Sequence, residues 1–486
     1  MSDLAHLSPQ HLWQHFAKIC SIPHPSKHEE ALAQYIVNWA KEKKFHVERD
    51  AVGNILIRKP ATAGMENRQS VVLQAHLDMV PQKNNDTEHD FTKDPIQTYV
   101  DGQWLKARGT TLGADNGVGM ASALAVLSDD SLSHGPIEVL LTMTEETGMD
   151  GAFGLQPNWL QSEILINTDS ETEGEIYMGC AGGIDCITDL ALNREAVPNG
   201  YQTFKLSLKG LKGGHSGCDI HLGLGNANKL MARFLFAHAA ELQARLLSFN
   251  GGTLRNAIPR EASVVLSLPA AQAELLKKTC ADFLSEINHE LEAVEKNMAL
   301  LVEPCECGFQ ALTADSQSRL ISLINASTNG VIRMSDSVKG VVETSLNVGV
   351  VTTEQDSAQI LYLIRSLTDS GKQYVVEMLT SLGELAGAKV NAKGSYPGWQ
   401  PNPESPVMNL VSESYKKLFD TTPHIMVIHA GLECGLFKHP YPKMDMVSIG
   451  PTITGAHSPD EQVHIASVGR YWQLLTQVLK SIPERN

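Results

Sequence analysis

The chain has 486 residues, 42% of them apolar and 19% charged, with 39 basic against 55 acidic side chains for a net charge of −16. That length corresponds to about three domains at roughly 100–200 residues each, and the apolar share suffices for a sizeable core. The acidic balance argues against nucleic acid and anionic membranes as partners, and no apolar run approaches the length of a membrane span.

The first residues, MSDLAHLSPQ, lack a basic region followed by an apolar stretch, so no signal peptide is expected. Ser8-Pro9 reads as the cap and first-turn proline of a helix. Ser26 with Glu29 reads as a capping box for a second helix through Trp39. Two β-like runs, 45–50 and 53–58, surround Val52-Gly53. Strand-like and helix-like runs then alternate: 70–75, a helix over 116–128, 137–143 and 163–167. The alternation predicts an α/β domain with a central, mostly parallel sheet flanked by helices.

Near residue 187 the texture changes. A strand over 203–209, a helix over 226–246, a strand over 260–268 and a long charged helix over 270–297 are expected. Then come a helix over 316–326, strands near 341–352 and 358–366, and a helix over 370–386. This is the pattern of an α+β insert. From 395 the first texture returns, with a helix over 406–419, a strand over 445–449, a loop over 450–463 and a helix over 466–480. The organisation expected is one domain, 1–187 and 395–486, interrupted by a second, 188–394. The eight cysteines are scattered without disulfide-scaffold spacing, and Cys305-x-Cys307 has no second pair at zinc spacing. Free thiols in a reducing cytoplasm are the expectation.

Several apolar runs end in a residue able to bind metal. VVLQAHLD places His76 and Asp78 after 71–73, and EVLLTMTEE places Glu145 and Glu146 after 139–143. EILINTDS places Asp169 after 164–166, and MDMVSIGPTITGAHSPDE places His457 after 446–449. Asp115, in TTLGADNGVGM, stands where a Gly-rich loop enters a helix. The carboxyl ends of parallel strands share one edge, where ligands bind. If these strands are parallel, all these side chains meet there.

Adjacent buried carboxylates such as Glu145 and Glu146 repel, so either water covers them or a cation lies between them. Two zinc ions about 3.5 to 4 Å apart need imidazole and carboxylate ligands, one of them bridging. One glutamate of the pair then binds metal and its neighbour faces the water as base. In His76-x-Asp78 both side chains face one side of a strand, and the aspartate can hold the imidazole in its metal-binding tautomer. Singly, each feature has a plainer reading: a polar strand end, a solvated Glu-Glu pair, an Asp-Asn-Gly turn. Only together do they point to a metal site. GGHSGCD fails the nucleophile-elbow spacing, GADNGVG fails the dinucleotide-binding spacing, and no H-E-x-x-H or Walker sequence occurs.

At these residues the sequence resembles the di-zinc metallopeptidase family of aminoacylases, dipeptidases and carboxypeptidases. AHLDMVP, GADNG, TEETGMDG, NTDSE and HSPDE fall in family order over almost the whole chain. GCAGG (179–183), LKGGHSG (211–217), FNGGTLRNAIPRE (249–261), VKGVVETSLNVGVV (338–351) and HAGLECG (429–435) resemble its bacterial cytosolic branch of Xaa-His, carnosinase-type dipeptidases. The resemblance implies two zinc ions per chain, with cobalt or manganese able to substitute. His76 and Asp169 would hold one, Glu146 and His457 the other, and Asp115 would bridge them. Glu145 would be the general base and Asp78 would orient His76. The 188–394 insert becomes a lid and dimerisation domain, carrying His215 for the oxyanion, Asn256, and Arg365 for the substrate's free carboxylate. Glu433 and His429 would lie near its amino end. The implied activity is hydrolysis of dipeptides by zinc-activated water, with a preference for Xaa-His including β-alanyl-histidine, in a cytoplasmic homodimer. Alternatives are a tripeptidase or N-acyl-amino-acid deacylase of the same family and, disfavoured by Glu145 beside a full ligand set, a non-catalytic zinc-binding protein.

Overall fold

The computed structural model describes residues 3–84 and 86–485; Met1 and Ser2, part of the stretch read for a signal peptide, lie outside them. The chain divides into two compact units. The first comprises Met1–Gly179, Pro401–Val427 and Leu432–Asn486, and the second Cys180–Gln400 with Ile428–Gly431. The second unit begins before the texture change at 187, because Gly182–Ala191 is already a strand of its sheet. Among the described residues, no helix is long and apolar enough to cross a membrane.

The first unit is built on an eight-stranded mixed sheet. Its centre is parallel: Val71–His76 lies between Ile137–Thr142 and Ile164–Asn167, and the latter pairs with Asp445–Ser448. Ile55–Lys59 and Glu175–Cys180 run antiparallel at the flanks. Every residue of Val71–His76 and Ile137–Thr142 is buried, which is why these segments read as apolar runs rather than alternating ones. Helix Ala114–Ser128 packs on Val71–His76 and against helix Gln10–Cys20. Every residue from Asn116 to Leu127 is buried. A separate antiparallel sheet joins Thr98–Asp101 and Trp104–Ala107 to Gln462–His464 and Ile453–Thr454.

Two helix starts differ from expectation. Helix Gln10–Cys20 has Pro9 itself at the cap position and no side-chain cap, while the Ser8 carbonyl accepts from the Trp13 indole. The Ser26–Glu29 capping box does not form. The second helix spans Glu30–Glu42 without a side-chain cap, and both side chains are engaged elsewhere, as shown below.

The second unit is an antiparallel nine-stranded sheet whose strands alternate between buried and exposed positions, as in Tyr201–Lys209. Helices Ala227–His238, Ala273–Glu290, Ala314–Ala326 and Asp369–Ala386 close its apolar core. The helix expected over 226–246 stops at His238. Gln243 adopts a left-handed conformation, and Leu246, Leu247 and Phe249 enter a strand, Arg245–Gly251. The helix expected over 270–297 is likewise confined to Ala273–Glu290.

Candidate active site

The register of the parallel strands brings their ends together. His76 closes its strand opposite Thr142, and Gln74 stands opposite Asn167, so the Glu145-Glu146 and Asp169 turns leave the sheet beside His76. Asp115 is the second residue of helix Ala114–Ser128, where its backbone departs from helical geometry. His457 lies in the loop after Ile453–Thr454 with a left-handed backbone. His76 Nε2 is 3.2 Å from Asp115 Oδ1 and 3.2 Å from Asp169 Oδ1. His457 Nε2 is 3.2 Å from Asp115 Oδ2 and 3.1 Å from Glu146 Oε1. Asp115 thus offers one oxygen to each imidazole.

This donor set calls for positive charge. His76 Nδ1 faces two acceptors of Asp78, the carbonyl at 3.0 Å and Oδ1 at 3.3 Å, which places a proton on Nδ1 and turns Nε2 to the carboxylates. Glu146 Oε1 and Asp169 Oδ1 are buried, near an imidazole, yet in no hydrogen bond. Burial, with the neighbouring Asp115 and Glu146, pushes Asp169 up to about 7. Burial, with Asp169, Glu146 and Glu433 close by, holds Glu145 well above the usual carboxylate range, and Glu171 is pushed up to about 9. Asp115 goes the other way: burial opposes its ionisation, but the His457 and His76 hydrogen bonds outweigh it. Burial also opposes a charged His76, yet the surrounding carboxylates carry it well above the imidazole range. The hydrogen bond to Asp115, with the Glu146 carboxylate close by, raises His457 to about 11. Divalent cations bound there would supply the positive charge and displace protons from these groups. His76, Asp115 and Glu146 offer ligand atoms all within 4.8 Å of one another. The residues therefore fit divalent cations.

The surrounding residues hold these groups in place. Asp78 accepts the backbone N–H of Glu145 at 2.9 Å and of Glu146 at 3.1 Å, and the Ser26 hydroxyl at 2.7 Å. Glu29 accepts from the Thr144 N–H at 3.0 Å and its hydroxyl at 2.9 Å. The residues expected to cap a helix instead brace the Glu145-Glu146 turn. Glu461, 2% exposed, accepts the N–H groups of Leu112, Gly113, Ala114 and Asp115 at 2.7, 2.9, 2.8 and 3.2 Å. Gly113, with φ of 71°, makes that cradle possible. Beneath the cluster, Gln74 donates to Glu433 Oε2 at 2.6 Å and accepts from Asn167 at 2.5 Å; Asn167 in turn accepts the Asp169 N–H at 3.2 Å. Glu433 also accepts from Thr142 at 2.8 Å and has no exposed surface, so its carboxyl is turned into the sheet.

Comparison with known proteins now decides the family. The model of peptidase family M20/M25/M40 matches residues 72–481. The chain belongs to that family. It is a metallopeptidase, and use of divalent metal comes with membership. The chain is 70% identical over 485 residues to the Escherichia coli protein named cytosol non-specific dipeptidase, covering 100% of both chains. It is 58% identical to the aminoacylhistidine dipeptidase of Vibrio alginolyticus, whose crystal structure superposes with a TM-score of 0.91 over 100% of this chain and 99% of that one. The aminopeptidase PepT of Bacillus cereus, at 15% identity and a TM-score of 0.57 over 98% of this chain and 99% of that one, shares the fold.

In the second unit of this M20 peptidase, His215, Asn256 and Arg365 are grouped. Gly214–His215 pairs with Ala257–Ile258, and the Asn256 carbonyl accepts the Ser216 N–H at 2.9 Å. His215 Nδ1 accepts the N–H groups of Gly217 and Cys218 at 3.3 and 3.0 Å, which leaves the ring proton on Nε2, 3.4 Å from Arg365 Nη2. His429 is buried, 2.8 Å from the Ser345 hydroxyl, and burial beside Arg365 lowers it to about 3. The sequence reading passed over Glu461, Glu171 and Gln74, and gave Glu29 a helix-capping role. Glu461 and Glu171 stand inside the quoted HSPDE and NTDSE strings, four and two residues beyond His457 and Asp169, where a further acid was the available signal.

Proposed function

We propose that this M20 peptidase is a dipeptidase holding two divalent ions between His76, Asp115, Glu146, Asp169 and His457, with Glu145 as general base. Asp115 carries the reading: each of its oxygens faces a different imidazole at 3.2 Å, so one side chain serves two ligand sets. His76 and Asp169 complete one set, His457 and Glu146 the other. Imidazole and carboxylate donors suit zinc, and cobalt or manganese fit the same ligands. Bound there, such ions supply Lewis-acid polarisation of the peptide carbonyl and lower the pKa of water.

The chain's own residues handle the proton and the substrate. Beside bound divalent cations, which favour its carboxylate form, Glu145 takes a proton from the attacking water and hands it to the leaving amine. Asp78 fixes the His76 tautomer and the start of the Glu145-Glu146 turn. His215 presents an Nε2–H donor to the developing oxyanion, Asn256 adds a polar group beside it, and Arg365 binds the free carboxylate. Glu433 acts from beneath the cluster through Gln74.

The relatives' names bracket the substrates, one non-specific and one aminoacylhistidine-directed. Our reading is a broad dipeptidase that prefers Xaa-His, β-alanyl-histidine included. A cytoplasmic location, supported by the E. coli relative's name, and a homodimer formed through the second unit complete it; sedimentation analysis tests the dimer. Rates on Ala-His, β-alanyl-histidine, Ala-Ala, a tripeptide and N-acetyl-histidine, with and without chelator, test the activity. Dipeptides must turn over and chelation must stop them. Faster cleavage of the tripeptide or the N-acetyl compound would assign a tripeptidase or a deacylase instead.

A further inference from the structure

We propose that Tyr396 is a second carboxylate-binding side chain, which joins Arg365 across Gly183 to grip the substrate's free C-terminal carboxylate. The inference rests on the dipeptidase reading and names a residue that reading does not include.

Three adjacent strands of the second unit carry the arrangement. Gly183 stands opposite Arg365 of Ser357–Ser366 on one side and opposite Tyr396 of Lys389–Tyr396 on the other. Residues directly opposite on neighbouring strands project to the same face. The middle position has no side chain, so the guanidinium and the phenol meet over it: Arg365 Nη1 donates to the Tyr396 hydroxyl at 3.3 Å. A methyl group at position 183 would lie 2.5 Å from that hydroxyl and 2.7 Å from Cε1 of the ring. Any side chain there would drive the phenol away. The Lys372 ammonium, bonded to the Tyr396 carbonyl at 2.6 Å, pins the backbone. The GCAGG string thus acquires a physical reason for its last glycine.

Arg365 itself points to an anion. It is 5% exposed, and its hydrogen-bond partners are the Ser216 hydroxyl at 3.4 Å and the Tyr396 hydroxyl at 3.3 Å; His215 Nε2, 3.4 Å away, carries a proton of its own and does not accept. These contacts are long, and among the described residues Arg365 forms no ion pair. A buried guanidinium without a counter-charge is costly, and a planar carboxylate matches its geometry. The Tyr396 oxygen spends a lone pair on Arg365 and keeps its O–H to donate to the same carboxylate.

Tyr396→Phe removes only the hydroxyl. With circular dichroism unchanged, it should lower kcat/KM for a dipeptide about tenfold, mainly through KM, the usual scale for one hydrogen bond to a charged group. It should leave the C-terminal amide of the same dipeptide unaffected, so the preference for free acid over amide falls about tenfold. Gly183→Ala should reproduce the loss. A purely structural role would slow both substrates alike. Tyr396→Phe with the wild-type acid-to-amide preference overturns the assignment, whatever Arg365 does. Arg365→Met with that preference intact overturns instead the carboxylate role of Arg365, and Tyr396 is then judged on its own variant.

Discussion

Glu461 accepts the backbone N–H of Asp115 at 3.2 Å, the last of four such bonds on a single buried carboxylate. The residue offering an oxygen to each imidazole is therefore positioned by the segment that also carries His457. Glu461→Gln preserves the volume but turns an amide NH2 toward backbone donors. We expect a loss of about 1–3 kcal/mol in stability and zinc binding weakened roughly tenfold or more. Thermal unfolding and zinc titration read the two effects; wild-type zinc affinity would show that Asp115 needs no such anchor.

Glu145 is assigned to proton transfer and not to metal binding. Glu145→Gln should cut kcat by about 10²–10⁴-fold while metal content, measured by elemental analysis, stays at the wild-type level. Loss of metal in this variant would make Glu145 a ligand.

Asp78 serves His76 on one side and the Glu145-Glu146 backbone on the other. Asp78→Asn should weaken zinc binding about 10–100-fold and lower kcat even when zinc is saturating, because the base is displaced as well. Full recovery of kcat with added zinc would confine Asp78 to the histidine.

Burial holds the Glu433 carboxyl up at about 8, against an ordinary 4.5. The folded protein keeps this proton to higher pH than the unfolded chain does. The group therefore favours folding below about pH 4.5 and loses that contribution as pH rises to about 8. Glu433→Gln cannot ionise. In chelator-treated protein, its stability relative to wild type should rise across that window and level off above it, as followed by denaturant unfolding. A flat difference would place the retained proton on another group.

The strand ends were legible because Val71–Leu73, Val139–Met143 (Thr142 apart) and Ile164–Ile166 are apolar runs that stop at polar residues, and burial on both sheet faces forces that pattern. What was hidden depends on partners remote in sequence. Ser26 and Glu29 satisfy a local helix-capping rule, yet Asp78 and Thr144 offer them better-buried bonds. The first two residues of the Arg245–Gly251 strand were absorbed into a helix because Leu246 also fits a helical period. The Gly182–Ala191 and Lys389–Tyr396 strands were missed because glycines and polar residues interrupt them; pairing with each other, and of the first with Ser357–Ser366, rather than intrinsic propensity, extends them. For Glu461 the only local sign was an acid in the HSPDE string; its role stayed hidden because its donors lie 346 to 349 positions earlier.

That separation also sets a clock. During synthesis, His76, Asp115, both glutamates and Asp169 leave the ribosome long before the segment with His457 and Glu461 exists. A nascent chain therefore lacks part of the proposed ligand set, and the carboxylate that the 112–115 N–H groups donate to, while the second unit is still being translated, and contacts so distant in sequence close late. On the proposed ligand set, hydrolytic competence would come only once residue 457 has been made, and a product terminated before it should be inert.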